Sequence, residues 1–143
     1  MNDQIMQETN ETKRPTTETP DGIREVRFDD VVVNRKALVQ ALRSLYDVDE
    51  TTVRRLEEED SYFFDVAERL LSESKAAMGS ALQKLFLGAY GIENGTPKTL
   101  FELATELGTT RETVRQVLAR ETRKLKHPTR RQNVLRSAPD EDV

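Results

Sequence analysis

Apolar residues recur every three or four positions along much of this chain, which is the spacing of helices that bury one face. In "RKALVQALRSLY" the apolar side is formed by Leu38, Leu42 and Leu45, and Asn34 stands in front of it as an N-cap. "DVDETTVRRLEEED" predicts a second, shorter helix with Asp49 near its start. The preceding "GIREVRFDDVVV" favours a short extended segment.

A longer stretch, "SYFFDVAERLLSESKAAMGSALQKLFLGAYG", is expected to be helical for much of its length. Gly79 and Ser80 are expected to break it in two, and Gly91 with the following "ENGTP" predicts a turn at its end. The next helix has clear end signals: Thr99 and Glu102 are spaced as a capping box. With the long stretch counted as two helices, five helices are therefore expected before the last part of the chain.

The last part of the chain continues with a turn and a further helix. Gly108 is suited to the left-handed residue that ends one helix, and Thr109 or Thr110 is expected to cap the next. That helix is expected to run to about Lys126, where Pro128 stops it. A last short helix is expected in "TRRQNVLRS".

These two helices have the residue types and spacing that a helix-turn-helix requires. The tight turn needs Gly108, the helices cross closely at Ala104, and the β-branched Val114 packs back from the second helix. The other members of the expected apolar face are Leu100, Leu103, Leu107, Val117 and Leu118. We therefore predict an all-α fold with a C-terminal helix-turn-helix, preceded by a small helical segment and a disordered N-terminus.

Composition narrows the possible chemistry. The chain of 143 residues has no Cys, which excludes a thiolate nucleophile and a Cys-based zinc site. Its single His, His127, makes a His-rich metal site or a Ser-His-Asp triad improbable, and the acidic run at residues 57–60 lacks ligand spacing. There is also no Gly-rich phosphate loop, so we expect no enzyme activity, no metal and no cofactor.

Charge divides the chain into unlike halves. Residues 84–136 contain eleven Lys and Arg against five Asp and Glu, whereas residues 1–83 contain eleven against eighteen. A basic half suits nucleic acid, and an acidic half suits a protein partner. The expected regions are a disordered tail at 1–22, an acidic helical interaction module at 23–79, a helix-turn-helix domain at 80–137 and an acidic tail at 138–143.

The sequence has no apolar run long enough for a membrane span and no signal-peptide pattern at its start. Membrane association is therefore not expected. A cytoplasmic protein is therefore expected.

The polar face of the predicted second helix carries side chains that read bases. Arg pairs with guanine, Gln with adenine, and Glu accepts from cytosine, which makes Arg111, Glu112, Arg115 and Gln116 the candidate base-reading residues. The candidate phosphate-binding residues are Thr99, Thr110, Arg120, Arg123, Lys124, Lys126, Arg130 and Arg131. The alternative is an ordinary surface helix of mixed charge.

One segment, "YGIENGTPKTLFELATELGTTRETVRQVLARETRKLKHPTRRQNVLRS", carries a family resemblance. With the residues before it from about Leu85, it resembles region 4 of the primary bacterial sigma factors, the domain that reads the promoter −35 element. The resemblance implies that Arg111, Glu112, Arg115 and Gln116 occupy base-contacting positions. It also implies that Leu85, Phe86, Tyr90 and Ile92 contact the flap of the RNA polymerase β subunit.

The chain also departs from this family. Leu87 and Ala89 stand where the family usually carries phosphate-binding Arg residues, and nothing upstream resembles the promoter-melting region 2. The sequence therefore does not predict a complete sigma factor.

Three functions remain open on these grounds. The first is an accessory transcription factor that docks on the flap of bacterial RNA polymerase and contacts −35-type promoter DNA. It would act as a coactivator or as one subunit of a split sigma factor, with a second sigma-like subunit bound by the acidic half. The second is a free-standing helix-turn-helix repressor, and the third is a region 4 mimic that blocks the host sigma factor.

Two segments, one from each half of the chain, have a weak sequence similarity, which we call the sequence echo. "VQALRSLYDVDETTVRRL" aligns with "FELATELGTTRETVRQV" at an offset of 61 residues, which pairs Val53 with Val114 and Asp47 with Gly108. We interpret this echo as coincidence in preference to a true repeat. The outward face of the N-terminal copy is acidic, which suits a protein partner.

Overall fold

The computed structural model describes residues 16–19 and 22–136, and this part of the chain is mostly helical, as predicted. The residues outside it include most of the expected disordered tail and all of the acidic tail. No helix in the described part has both the length and the apolar character needed to cross a membrane. The elements are β1 (Thr16–Thr19), β2 (Gly22–Phe28), β3 (Val31–Asn34), α1 (Arg35–Tyr46), α2 (Glu50–Glu58), α3 (Asp60–Tyr90), α4 (Leu100–Leu107), α5 (Arg111–Leu125) and α6 (Pro128–Leu135).

The three strands form a small antiparallel sheet in the order β1-β2-β3. The predicted extended segment becomes β2 and β3, which pair Val26 with Val33 and bury both side chains under α1. The structure differs from the sequence expectation at residues 16–19, which lie in the segment expected to be disordered and instead form the edge strand β1. Backbone pairing needs no apolar side chain, so the polar composition of β1 did not indicate a strand.

The predicted N-caps of the first two helices are confirmed. The Asn34 side-chain oxygen accepts a hydrogen bond from the Ala37 amide at 2.9 Å, and Asp49 accepts one from the Thr52 amide at 2.8 Å. Each cap satisfies one of the amides that a helix leaves without a partner at its start. The start of each helix is therefore set by the hydrogen bond of its capping side chain.

The long helix α3 is kinked at Gly79, as predicted. Gly79 has φ 84° and ψ 166°, a backbone region that essentially only glycine occupies. The buried Gln83 spans the kink, because its Nε2 donates to the Leu71 carbonyl at 2.8 Å and to the Ser74 hydroxyl at 2.9 Å. These bonds fix the angle between the two halves of α3.

The main core joins the two regions that the sequence analysis separated at residues 79 and 80. It contains buried side chains from β2, β3, α1, α2, α3, α5 and α6. The Tyr46 hydroxyl donates to the Leu125 carbonyl at 2.8 Å, and the Tyr62 hydroxyl donates to the Leu135 carbonyl at 2.6 Å. The acidic and basic regions therefore pack as one body and not as two separate modules.

Candidate nucleic-acid interface

The start of α4 is fixed by the predicted capping box. The Thr99 hydroxyl accepts from the Glu102 amide at 3.1 Å, and the Glu102 carboxylate accepts from the Thr99 amide at 2.8 Å. This reciprocal pair satisfies two amides at once. It also uses the Thr99 hydroxyl, which the sequence analysis assigned to a phosphate.

The turn between α4 and α5 has the predicted left-handed glycine and the predicted threonine cap. Gly108 has φ 68°, and the Thr109 amide donates to the Ala104 carbonyl at 2.9 Å, which closes the end of α4. Thr110 then caps α5, because its hydroxyl accepts from the Thr113 amide at 3.1 Å. Only residues 108–110 separate the two helices, so their relative orientation is tightly constrained.

A small second core holds α4 and α5 against the C-terminal half of α3. Its buried members are Leu85, Leu103, Ala104 and Val114, which matches the predicted roles of Ala104 and Val114. The structure corrects the prediction for Leu107, which is 55% exposed. Leu107 is the last residue of α4, and the chain turns away after it before any element covers its side chain.

The four predicted base-reading residues, Arg111, Glu112, Arg115 and Gln116, are all exposed on the first two turns of α5. Three of them form a network on the surface of the helix. Arg115 donates from Nε to one Glu112 oxygen at 3.0 Å and from Nη2 to the other, and Gln116 donates to Glu112 at 3.0 Å. The pair with Arg115 lowers the pKa of Glu112 and raises the pKa of Arg115.

Farther along α5, a buried carboxylate positions two of the predicted phosphate-binding residues. Glu121 is only 3% exposed, and it forms ion pairs with Arg120 at 2.8 Å and Lys124 at 3.0 Å. Burial alone would raise the pKa of Glu121, but the hydrogen bonds from Lys124 and Arg120 outweigh it, so the pKa is lowered. The sequence analysis missed Glu121, although the spacing of three residues between Glu121 and Lys124 was a usable signal of a helical ion pair.

The two predicted phosphate-binding residues of α6 also hold the fold together. Arg130 forms an ion pair with Glu73 of α3 at 2.8 Å, and Arg131 donates to the Tyr46 carbonyl of α1 at 3.2 Å. Arg123 and Lys126 are exposed instead, and neither has an ion pair within residues 22–136. Thr110, like Thr99, uses its hydroxyl to cap a helix. The predicted phosphate-binding residues therefore fall into two groups: those whose side chains make contacts within the fold, and the exposed Arg123 and Lys126.

A groove of about 940 Å³ lies between α3, α5 and α6. Its lining includes Ala76 and Glu73 of α3, Arg123 and Lys124 of α5, and Arg130 of α6. Of the lining side chains, four are Arg or Lys and one is Glu, so the groove is net positive. We call it the cationic groove.

The residues matched to flap contact do not form a surface. Leu85, Phe86 and Ile92 are buried, and Tyr90 is half-buried with its ring 5.0 Å from that of Phe86. Phe86 and Ile92 belong to the main core, in which α1 also packs. The structure therefore corrects this assignment for Leu85, Phe86 and Ile92, which are not accessible to a partner in the folded protein, whereas Tyr90 is partly accessible.

Comparison of the chain with models of protein families, with curated proteins and with solved structures found no match.

Proposed function

We propose that the protein is a transcription factor that binds duplex DNA through α4 and α5, arranged as a helix-turn-helix. One observation carries this proposal: the four polar side chains at the start of α5 are exposed together, while Val114 between them is buried against α4. Such a helix presents its first two turns outward, which suits insertion into a major groove. The exposed cations Arg123 and Lys126 lie beyond these turns and suit phosphate contacts.

The network on α5 supports a specific mode of reading. Arg115 uses Nε and Nη2 to bind Glu112, which leaves the Nη1 end of the guanidinium available to a base. Glu112 therefore holds Arg115 in one orientation before DNA arrives, which reduces the entropy lost on binding. In this role Glu112 positions Arg115 toward guanine, and Gln116 is placed to contact a neighbouring base.

The proposed role at a promoter is recruitment of RNA polymerase to −35-type DNA. It is supported by the sequence resemblance to sigma region 4. The burial of Leu85, Phe86 and Ile92 means that docking would use other side chains. Phe101 and Leu107 of α4 are 65% and 55% exposed, and they are the large apolar side chains that the described part of the chain offers to a partner.

A free-standing DNA-binding regulator is the second candidate function. The burial of Leu85, Phe86 and Ile92 favours this second candidate, because these residues match flap contacts of the family but pack inside the fold. A pull-down with core polymerase separates the two functions: retention of the full chain, reduced by Phe101→Ser, supports docking. Run-off transcription from a −35-dependent promoter then gives the sign of the effect, and a fall would support a blocking mimic.

DNA binding itself is tested by selecting sites for the full chain from a random duplex library without polymerase. Arg115→Ala should weaken binding to the selected site about tenfold to a hundredfold and relax preference at one base position. Arg54→Ala is the matched control, because Arg54 is an exposed arginine on α2 and its loss changes the net charge equally. Equal losses in the two variants, or no selected sequence, would contradict base reading by α5.

A further inference from the structure

A row of side chains on the surface of α5 links two of the proposed base-reading residues to two cations. Glu112, Gln116, Arg120 and Lys124 follow one another at intervals of four residues, and all four are exposed. Each interval rises about 6 Å along the helix and turns about 40° around it. The row therefore begins on the face proposed to meet the bases and moves toward one flank of α5.

That flank is where a DNA strand lies when α5 occupies a major groove. An α-helix with its side chains is about 10–12 Å across, and the major groove of B-DNA is about 12 Å wide. A helix that fills the groove therefore has a sugar-phosphate strand on each side. Arg120 and Lys124 lie about 6 and 12 Å along the axis from Gln116. They are placed to meet phosphates next to the bases that Gln116 reaches.

A buried carboxylate joins these two cations from the inner side of the helix. The Glu121 Oε2 oxygen accepts from Arg120 Nε at 2.8 Å, and Oε1 forms an ion pair with Lys124 Nζ at 3.0 Å. Glu121 is buried, whereas the side chains of Arg120 and Lys124 are 58% and 50% exposed. One buried anion therefore anchors two side chains whose outer parts face solvent.

The ion pairs leave the outer part of each cation available to a phosphate. Arg120 contacts Glu121 through Nε, and the four N–H groups on its two Nη atoms form no hydrogen bond within the described part of the chain. Lys124 has three N–H groups and pairs with one oxygen. Glu112 holds Arg115 by one edge in a similar way, earlier in the same helix. The pairing with Glu121 therefore orients the two cations and does not occupy all their donors.

We propose that Glu121 is a positioning residue that directs Arg120 and Lys124 onto one DNA phosphate beside the bases read by α5, and so favours a specific site over other DNA. Because the two side chains are held before binding, they lose less conformational entropy when α5 is seated in register. The charge of Glu121 also offsets one of the two positive charges, which weakens the attraction to any DNA. The phosphate contact rests on the proposed function, whereas the positioning of Arg120 in the free chain does not.

The positioning is tested on the full chain without DNA. Nitrogen-15 relaxation of the arginine Nε–H groups measures how ordered each side chain is. We expect an order parameter of about 0.8 for Arg120 and below about 0.6 for Arg123, an exposed arginine of the same helix with no ion pair within the described residues. In Glu121→Gln the value for Arg120 should fall to that of Arg123. Equal values in the unmodified chain, or an unchanged value for Arg120 in the variant, overturn the proposal.

The effect on specificity is tested by measuring the affinity for the selected site and for random-sequence duplex DNA. Glu121→Gln should raise the affinity for random DNA about threefold at low salt, because the positive charge of the cluster increases. The added charge acts on both kinds of DNA, whereas the loss of positioning acts only on the selected site. The ratio of the two affinities should therefore fall about twofold to tenfold.

The matched control for charge is Glu106→Gln, because Glu106 is an exposed carboxylate of α4 that pairs with Lys98 at 2.8 Å. This variant should leave the ratio of affinities unchanged. An equal fall of the ratio in both variants, or no fall in Glu121→Gln, overturns the proposal.

Arg120→Lys tests the same contact at an exposed position, where a folding defect is not expected. Lysine keeps the charge but lacks the planar fork that can bind Glu121 and a phosphate through different edges. The ratio of affinities should fall about twofold or more, with little change for random DNA, whereas Arg123→Lys should leave the ratio unchanged. Equal effects of the two substitutions overturn the proposal. If no chain selects a site, the proposed function fails together with the phosphate contact, and the order parameters of Arg120 still decide its positioning by Glu121.

Discussion

The turn of the α1–α2 pair and the turn of the α4–α5 pair have the same kinds of end residues, although the second helices of the two pairs begin with different exposed side chains. α1 ends at Asp47, a left-handed residue with φ 53°, and Asp49 caps α2. α4 ends at Gly108, with φ 68°, and Thr110 caps α5. The matching positions are 61 residues apart, the same offset as the sequence echo that we interpreted as coincidence. The two turns share a left-handed residue after the first helix and a side-chain cap on the second, but their backbone hydrogen bonds differ: Asp47 N–H donates to Arg43, whereas Gly108 and Thr109 N–H donate to Thr105 and Ala104.

The two pairs differ in what surrounds them and in what they expose. α1 and α2 belong to the main core, and the sheet and α3 pack on them, whereas α4 packs in the small second core with the start of α5. The end of α5 reaches the main core through Leu125. At the positions that match Arg111 and Glu112 of α5, α2 exposes Glu50 and Thr51. A tight turn between two helices is therefore compatible with different exposed surfaces on the second helix. The exposed side chains of the second helix decide what the pair can bind.

The largest expected difference between the pairs is the loss of stability when a buried leucine of each core is replaced by alanine. Leu42 and Leu103 occupy matching positions, and both are buried. Leu42→Ala should destabilise the protein by about 4–5 kcal/mol and Leu103→Ala by about 2–3 kcal/mol, because a small core near the surface collapses more easily around a cavity. Urea denaturation followed by circular dichroism measures both changes. Leu107→Ala is the control at an exposed position, and a larger effect of Leu103→Ala than of Leu42→Ala would contradict this difference.

Substitutions in the two turns should change the free energy of unfolding by less, and with opposite signs in the two pairs. Gly108→Ala should cost about 1–2 kcal/mol, because a β-carbon is strained at a left-handed residue. Asp47→Gly should stabilise by up to about 0.5 kcal/mol, because relief of that strain exceeds the extra chain entropy of glycine only slightly. Thermal unfolding measures both. Gly108→Asn serves as the control, since Asn tolerates this conformation, and equal losses for Ala and Asn would show that the left-handed backbone is not the cause.

The features that the sequence predicted correctly are those with local causes. Asn34, Asp49, Thr99 and Thr110 each cap a helix through a hydrogen bond to the third following amide, so the pattern lies within four residues. The kink at Gly79 follows from the conformational freedom of one residue. The exposure of the start of α5 follows from the period of its apolar positions.

The features that the sequence did not predict depend on partners far away in the chain. Phe86 and Ile92 are buried because α1, at least 40 residues earlier, packs in the same core. The edge strand β1 exists because β2 offers it a backbone partner. Glu73 is the α3 partner of Arg130, 57 residues apart, so the structural contact of Arg130 could not be predicted from the basic run alone. Likewise, the resemblance indicated which residues match the family, but not which of them this chain covers.

The smallest effect that distinguishes the two pairs is the pH dependence of their caps. Thr110→Ala should cost about 1 kcal/mol at any pH, since a hydroxyl cap does not titrate in the acid range. The Asp49 cap does titrate: hydrogen bonds from Thr52 lower the pKa of Asp49 in the folded protein. Because the folded pKa lies below the ordinary value, the Asp49 cap stabilises the fold at pH values above the ordinary value, and this stabilisation is lost as the pH falls through the folded pKa.

Asp49→Ala should therefore be destabilising at pH 7 and nearly neutral near pH 2, whereas the cost of Thr110→Ala should stay constant. Urea denaturation of both variants against the unmodified chain at the two pH values measures this, and a cost of Asp49→Ala that persists in acid would show that Asp49 acts through its shape and not through its charge.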